Sequence, residues 1–262
     1  MSGIPGSAAL KTKRQTMGTV EAALGGVNGQ EIFRKFGYLG VLEASPFVIA
    51  SLGGQLKPWM PLAAIEIEVV SVDANDTALG TGAREVTVIG LGANYALQTV
   101  TVALNGTSPV TTGTTWLRVW RMFVSKTGTY RGSNVGTLTA SDTESSPNII
   151  IDIPADHGQT LTTHYTVPFG KTFLLYDFII APEATKTCHI EFHIAGDANV
   201  VTAPFTGAQR TLFNYDGISE AFAGQFTYPF KVPAMTDMWA TGSIAAGNAS
   251  CFFEYTGLLI DD

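Results

Sequence analysis

The 262-residue sequence has little charge, two cysteines and none of the short motifs that mark common enzyme classes. Only 14% of its residues are Asp, Glu, Lys or Arg, against about 25% in an average globular domain. It contains no P-loop, no GxGxxG after a strand, no HExxH and no GxSxG. These absences exclude the enzymes that depend on those motifs. We therefore expect a protein without catalytic residues and without a cofactor.

Cysteine usage and hydropathy exclude two further classes. Cys188 and Cys251 stand alone in strand-like runs without a CxxC spacing, so we interpret them as small buried hydrophobic residues. No long apolar stretch follows the early basic residues, as it would in a signal peptide. The apolar run at residues 40–54 is broken by Glu43, Pro46 and Gly53, so we expect no membrane-spanning segment.

The net charge of −7 is unevenly distributed along the chain. Two acidic residues precede residue 36, whereas the basic residues in that segment are Lys11, Lys13, Arg14, Arg34 and Lys35. The rest of the chain is therefore strongly acidic, which argues against binding to nucleic acid because phosphates require a basic face. We expect the basic segment to dock on an acidic neighbour, with a solvated tail as the open alternative.

The hydrophobic pattern predicts an all-β protein. From residue 64 apolar residues alternate with polar ones, and short runs of this kind are separated by turns such as Asn105-Gly106. We predict two tandem antiparallel β-sandwich domains, the second jelly-roll-like, behind an irregular N-terminal arm with a short helix near Glu31–Phe36. The predicted boundaries are 1–60 for the arm, 61–143 for the first domain and 144–262 for the second, with a polar linker at Ser141–Asn148.

Several segments resemble a virion protein of tailed bacteriophages, of the type common in marine and environmental phage genomes. The matching turn and strand patterns lie at Ala74–Arg84, Gly90–Tyr95, Leu104–Val110, Tyr165–Phe178 and Pro229–Ser243. The resemblance extends over about residues 64–262 and does not include the arm. It implies a structural component associated with the capsid or the tail, and it implies no catalytic residues.

An aromatic and basic strand is the main candidate for a contact surface. In residues 115–123, Trp116, Arg118 and Trp120 share one face, and Arg121 lies on the other. Tryptophan and arginine are enriched at interface hot spots, so we predict that this strand faces another protein. The alternative is a strand buried between two sheets, with arginine reaching the edge. Trp59, between two prolines, is a further candidate that would anchor the arm.

Three polar groups are weaker candidates for chemistry. His189, Glu191 and His193 share one face of a predicted strand, where imidazole and carboxylate could hold a metal; a polar outer face explains them equally well. A loop contains Asp73, Asn75 and Asp76, which suit either calcium or a turn with side-chain hydrogen bonds. A second loop contains Asp152, Asp156 and His157, an acid/base pattern for which the sequence places no nucleophile.

We therefore predict a non-enzymatic virion protein, assembled in the cytoplasm of a bacterial host, that decorates or cements the head or anchors a head spike. Its expected partners are copies of itself in a homotrimer and the major capsid protein or other virion proteins, without nucleic acid or membrane. The alternative is a tail adaptor or a receptor-binding module that recognises a glycan. Candidate glycan contacts are Tyr165, Tyr215, Tyr228 and Trp239.

Overall fold

In the part of the chain that the structure describes, β-strands form four antiparallel sheets, which confirms the prediction of an all-β protein with β-sandwiches. A computed structural model describes residues 22–23, 25, 27–56, 58, 60–61, 63–144, 147–183, 186–196, 209–245 and 247–262. Within these ranges, no helix is long and apolar enough to cross a membrane.

The strands fall into two groups along the chain. Those of the first and last parts are β1 (Gln30–Leu42), β2 (Phe47–Val48), β10 (Tyr165–Thr166), β11 (Lys171–Pro182), β12 (Cys188–Ala195), β13 (Arg210–Ile218), β14 (Phe222–Val232), β15 (Asp237–Ile244) and β16 (Ala249–Asp261). Those of the middle part are β3 (Ile65–Ser71), β4 (Ala83–Leu91), β5 (Leu97–Ala103), β6 (Val110–Trp116), β7 (Arg118–Thr127), β8 (Leu138–Asp142) and β9 (Ile149–Ile153).

The first group forms a jelly roll. Its two sheets have the strand orders β1-β16-β11-β14 and β10-β15-β12-β13, and β2 pairs with β15. If β1 is lettered B and β10 to β16 are lettered C to I, these orders read B-I-D-G and C-H-E-F. This is the double Greek-key arrangement of an eight-stranded jelly roll. The apolar faces of the two sheets meet in one core that contains Phe173, Phe178, Phe192 and Phe253.

The second group is a smaller sandwich inserted into the jelly roll. Its sheets have the orders β6-β3-β8-β9 and β5-β4-β7, and they enclose their own core, which includes Ile67, Val88 and Met122. The chain leaves the jelly roll after β2 and returns to it at β10. The two sandwiches are thus nested in the chain, which differs from a simple tandem order. The predicted linker at Ser141–Asn148 begins in the last two residues of β8 and precedes β9, the strand that pairs with β8 within the inserted sandwich.

The predicted short helix at Glu31–Phe36 is wrong, because these residues belong to strand β1. This strand pairs along its length with β16, at the other end of the chain, so residues 30–42 are not irregular. A β-carbon at Gly37 would lie 2.2 Å from the carbonyl oxygen of Ile49 and 2.7 Å from the amide nitrogen of Thr163. The glycine therefore lets two other segments pass close to the edge of β1. The repeated glycines interrupt the alternation of apolar and polar residues, and for this reason the sequence predicts an irregular arm here.

Local patterns in the inserted sandwich are confirmed. Along β3, Ile67 and Val69 are fully buried while Glu66 is exposed, as the period of two predicts. Strands β4 and β5 form a hairpin and pair in continuous register. Gly106 has a φ of +62°, as expected for the sharp turn at Asn105-Gly106.

Candidate functional site at the junction of the two sandwiches

The predicted aromatic and basic surface is buried, so the prediction that it faces another protein is wrong for three of its residues. Trp116, Arg118 and Trp120 are each less than 4% exposed. The chain turns at Leu117 from β6 in one sheet to β7 in the other, so the segment does not expose one continuous strand face. Trp116 packs in the core of the inserted sandwich, whereas Trp120 packs in the core of the jelly roll.

The two remaining predicted interface residues are Arg121 and Trp59. Arg121 is exposed, as an intermolecular contact requires, and its role in such a contact stays a prediction. Trp59 lies outside the described residues.

An ion pair between Arg118 and Asp237 connects the two sandwiches. The Nε atom of Arg118, on β7, donates to Oδ1 of Asp237, on β15, at 2.9 Å, and Nη2 donates to Oδ2 at 3.2 Å. Both side chains are fully buried. Arg118 Nη1 also donates to the carbonyl oxygens of Leu117 and Pro61. A bidentate pair with additional acceptors satisfies the guanidinium and offsets the cost of burying its charge.

Neighbouring polar groups complete this network. Thr166 donates its hydroxyl to Oδ1 of Asp237 at 2.5 Å, and Nε2 of His164 lies 3.8 Å from the same oxygen. Burial raises the pKa of Asp237, but the charge of Arg118 and the contact with His164 outweigh burial and hold that pKa below its ordinary value. Burial lowers the pKa of His164, so its imidazole is neutral at neutral pH. The ionised carboxylate therefore holds a fixed position between the two sandwiches.

Apolar contacts surround the ion pair. Leu91, Tyr95, Leu117 and Trp120 of the inserted sandwich belong to the same buried cluster as the jelly-roll core. The ring of Trp120 meets the ring of Tyr165 edge-on, with centroids 5.0 Å apart. Because the core is continuous across the junction, we expect the two sandwiches to unfold together.

The acidic loop of the inserted sandwich has a structural role. Asp76 is fully buried, and its two carboxylate oxygens accept hydrogen bonds from the amides of Ala83, Val135 and Gly136 and from the hydroxyl of Ser71. Asp73 accepts the amide of Asn75 at 2.8 Å, which is the side-chain-capped turn named as the alternative to calcium. These bonds explain the residues without an ion.

In the predicted acid/base loop, each of the three side chains has a different hydrogen-bond partner. Asp152 accepts the hydroxyl of Ser51 at 2.5 Å, and burial raises its pKa. Asp156 accepts the hydroxyl of Tyr130 at 2.8 Å, and Nδ1 of His157 lies 2.8 Å from the carbonyl oxygen of Ala155. Asp152, Asp156 and His157 therefore form no Asp–His hydrogen bond with one another.

The proposed metal ligands share one face of β12, as predicted. Glu191 lies between two imidazoles, with its oxygens 3.3 Å from Nε2 of His189 and 3.5 Å from Nε2 of His193. The ring of His193 is also within hydrogen-bond distance of Thr241 and Gln209. In the ranges that the structure describes, no group of three or more His, Cys, Asp or Glu residues is arranged to hold a metal ion.

Sequence reasoning missed the residues that complete the junction. Asp237 and His164 lie in ordinary strand-like runs, and no spacing signals their approach to Arg118, which is 119 positions from Asp237. A buried arginine in a largely apolar strand was the available signal, because such a charge requires a carboxylate partner.

Strand β14 carries three of the exposed aromatic residues of the jelly roll. Tyr228 is 77% exposed, and Phe222 and Phe230 are more than a third exposed. Two of the predicted glycan contacts, Tyr165 and Trp239, are instead buried. These exposed aromatic side chains make β14 the candidate for an apolar contact surface.

Comparisons with known proteins do not assign the chain to a family. No family model and no curated protein matches the sequence. The chain is similar to the structure of the Gt strain of infectious bursal disease virus, with 8% identity over 88% of this chain and 70% of that chain and a TM-score of 0.24. It is also similar to the VP2 subviral particle of the same virus, with 10% identity over 90% and 72% and a TM-score of 0.22. TM-scores this low do not define a shared fold.

Proposed function

We propose that this protein is a non-enzymatic structural subunit of a virus particle. The observation that carries the proposal is the strand order B-I-D-G and C-H-E-F with a second sandwich inserted between strands B and C. Jelly rolls of this order serve as viral capsid domains, lectins and cupins. The turn and strand patterns shared with virion proteins of tailed phages favour the first of these.

The filled interior of the jelly roll also favours a structural role over a binding role. Rings of Phe178, Phe192, Phe213, Phe253 and Tyr255 pack between the two sheets with centroid separations from 4.9 to 6.3 Å. Cupins and related proteins hold ligands inside the barrel, and these rings occupy that space.

The finer proposal is a decoration or spike protein on the head of a tailed phage. In this proposal the protein is a homotrimer, the basic residues before position 22 dock on the major capsid protein, and the inserted sandwich projects from the jelly roll. Exposed Tyr228 and Phe230 on β14 supply apolar area for contact between copies. The runner-up, a glycan-binding tail module, depends mainly on Tyr228 because Tyr165 and Trp239 are buried.

Solution mass tests the proposal, by size-exclusion chromatography with light scattering. We expect a trimer for the full chain and for a variant without residues 1–21, because the contact lies on β14. Tyr228→Ser combined with Phe230→Ser should give a monomer. Leu79→Ser is the matched control, since Leu79 is 92% exposed on the inserted sandwich, and it should leave the trimer intact.

Two results would contradict this assignment. A monomer at all concentrations for the full chain would overturn the autonomous trimer. Closed shells in electron micrographs of the purified protein would overturn a decoration role and indicate a shell-forming subunit.

A further inference from the structure

A cleft with three basic residues lies where the edge of the jelly roll meets the inserted sandwich. It has a volume of about 240 Å³ and is lined by Arg34, Lys35 and Phe36 of β1, Arg121 of β7, and Gln159 and Thr160 of the segment that returns to the jelly roll. No carboxylate is among these lining residues. The cleft is separate from the Arg118–Asp237 pair.

The positive charge of the cleft is only partly neutralised. Arg34 pairs with Glu254 at 2.5 Å, which accounts for one of the three cations. Among the described residues, none forms an ion pair with Lys35 or Arg121, and these two charges act on each other. The cleft therefore carries an unneutralised positive charge, from Arg121 and from Lys35 when its amine is protonated.

Lys35 is the unusual member of the group. Its side chain points inward from β1, is only 6% exposed, and donates to the carbonyl oxygen of Trp120. A buried ammonium with a neutral acceptor is costly, because its charge is desolvated without a counter-ion. Burial and the charge of Arg121 accordingly lower the pKa of Lys35 to about 7. An anion in the cleft would remove this cost.

We propose that the cleft binds a phosphate group between Lys35 and Arg121. A phosphate dianion matches Arg121 together with a protonated Lys35, the form of the lysine that a bound anion favours, whereas a carboxylate neutralises only one of the two. Arginine recognises phosphate oxygens through its planar fork, and lysine does so as a point charge. The hydroxyl of Thr160, which accepts the amide of Met122 at 3.3 Å, retains its own proton to donate to a bound oxygen.

The site joins the two sandwiches. Lys35 belongs to the jelly roll, and Arg121 belongs to the inserted sandwich. A bound phosphate therefore contacts both and stabilises their junction, in addition to the ion pair of Arg118 with Asp237. Because a ligand that binds only the folded state raises its stability, phosphate should raise the melting temperature of the whole chain.

Calorimetric titration with inorganic phosphate tests the site, at pH 7.0 in phosphate-free buffer and constant ionic strength. We expect saturable binding by the full chain. Arg121→Gln and Lys35→Met should each weaken it by at least about tenfold, the loss expected for a charged hydrogen bond. Arg131→Gln is the matched control, because it removes an exposed positive charge that does not line the cleft, and it should retain wild-type affinity.

Three results would overturn the site. These are the absence of saturable binding, an equal loss in Arg131→Gln, and binding of acetate as tightly as phosphate. Arg121 is exposed, so its variant should fold, and an unchanged circular dichroism spectrum checks this. A parallel titration with glycerol phosphate distinguishes the source of the phosphate, because a site for esters binds it at least as tightly as the free ion.

Discussion

Arg118 and Asp237 form a fully buried bidentate ion pair between the inserted sandwich and the jelly roll. Each residue is also held by further hydrogen bonds, from Arg118 to two carbonyl oxygens and from Thr166 to Asp237. The pair therefore fixes how the two sandwiches meet. Its removal is the most direct test of the junction.

Breaking this pair on one side should destabilise the protein strongly. Arg118→Met and Asp237→Leu should each lower the free energy of unfolding by about 3–5 kcal/mol, because the remaining charge is buried without its partner. The double variant Arg118→Met/Asp237→Leu should lose much less than the sum of the two. Urea unfolding measures the free energies of unfolding of the single and the double variants.

Lys126→Gln, which breaks the exposed pair of Lys126 with Glu85, is the control and should cost about 1 kcal/mol or less. Additive losses in the double variant would contradict the coupling.

Asp76 should be essential to the inserted sandwich. Asp76→Ala leaves three backbone amides and one hydroxyl without their acceptor. Each buried donor left without a partner costs about 1–3 kcal/mol, so we expect a loss of several kcal/mol in chemical unfolding. Asp73→Ala, which removes a bond to an exposed turn, should cost much less. If EDTA lowered the melting temperature of the wild-type protein, an ion would be involved and the structural role of this loop would be wrong.

The hydroxyl of Tyr95 should be dispensable. Its oxygen is buried, and it has no hydrogen-bond partner among the described residues. Tyr95→Phe removes this polar atom and keeps the ring in the junction core. We expect the free energy of unfolding to stay equal or to rise by about 1 kcal/mol. Tyr255→Phe is the contrasting variant, because the hydroxyl of Tyr255 donates to the carbonyl oxygen of Thr163 at 2.9 Å, and it should be destabilising. A clear loss in Tyr95→Phe would indicate a partner for the hydroxyl.

Stability should rise with pH above 7 because of Lys35. Its folded pKa of about 7 lies below its ordinary value of 10.5, so between these values the unfolded chain binds more protons than the folded chain. The cost of the buried charge is full below pH 7 and is relieved as pH rises. The gain is at most about 1.4 kcal/mol per pH unit.

Urea unfolding of wild type and Lys35→Met at pH 7, 8 and 9, in phosphate-free buffer, measures this gain. The charged and titratable groups that lie around Lys35 are Arg34 on its own strand, Arg121 on β7 and His164 before β10. Burial lowers the pKa of His164 from 6.5, so the folded state holds this imidazole neutral over the range, and its contribution is shared by wild type and Lys35→Met. The wild type should therefore gain stability relative to Lys35→Met, while Lys126→Met should follow the wild type. Parallel curves for wild type and Lys35→Met would contradict the burial of a titrating lysine.

Much of the local structure could be predicted because it depends on neighbours in the chain. The alternation around Ile67 and Val69 places one strand face in a core, and Asn105-Gly106 specifies a turn through the φ of glycine. The face shared by His189, Glu191 and His193 follows from the same period. These features require only the geometry of a strand or a turn.

The errors occurred where distant segments decide the outcome. The edge strand β1 resembles an irregular arm because its glycines break the pattern, and it is a strand because β16, more than two hundred positions away, pairs with it. Trp116 and Trp120 resemble a contact surface because both faces of their segment are apolar. They are buried because the chain turns between two sheets at Leu117, so that Trp116 packs in one core and Trp120 in the other.

The amino-acid sequence by itself determined that this is an all-β protein without common enzyme motifs, and it determined the positions of most strands and turns, because these follow from side-chain periodicity and from glycine and asparagine at tight turns. Only the tertiary structure decided that one sandwich is inserted into the other, that Arg118 meets Asp237, and that Lys35 and Arg121 line one cleft. The physical reason is that strand order and the pairing of buried charges depend on contacts between residues far apart in the chain, which no local pattern encodes.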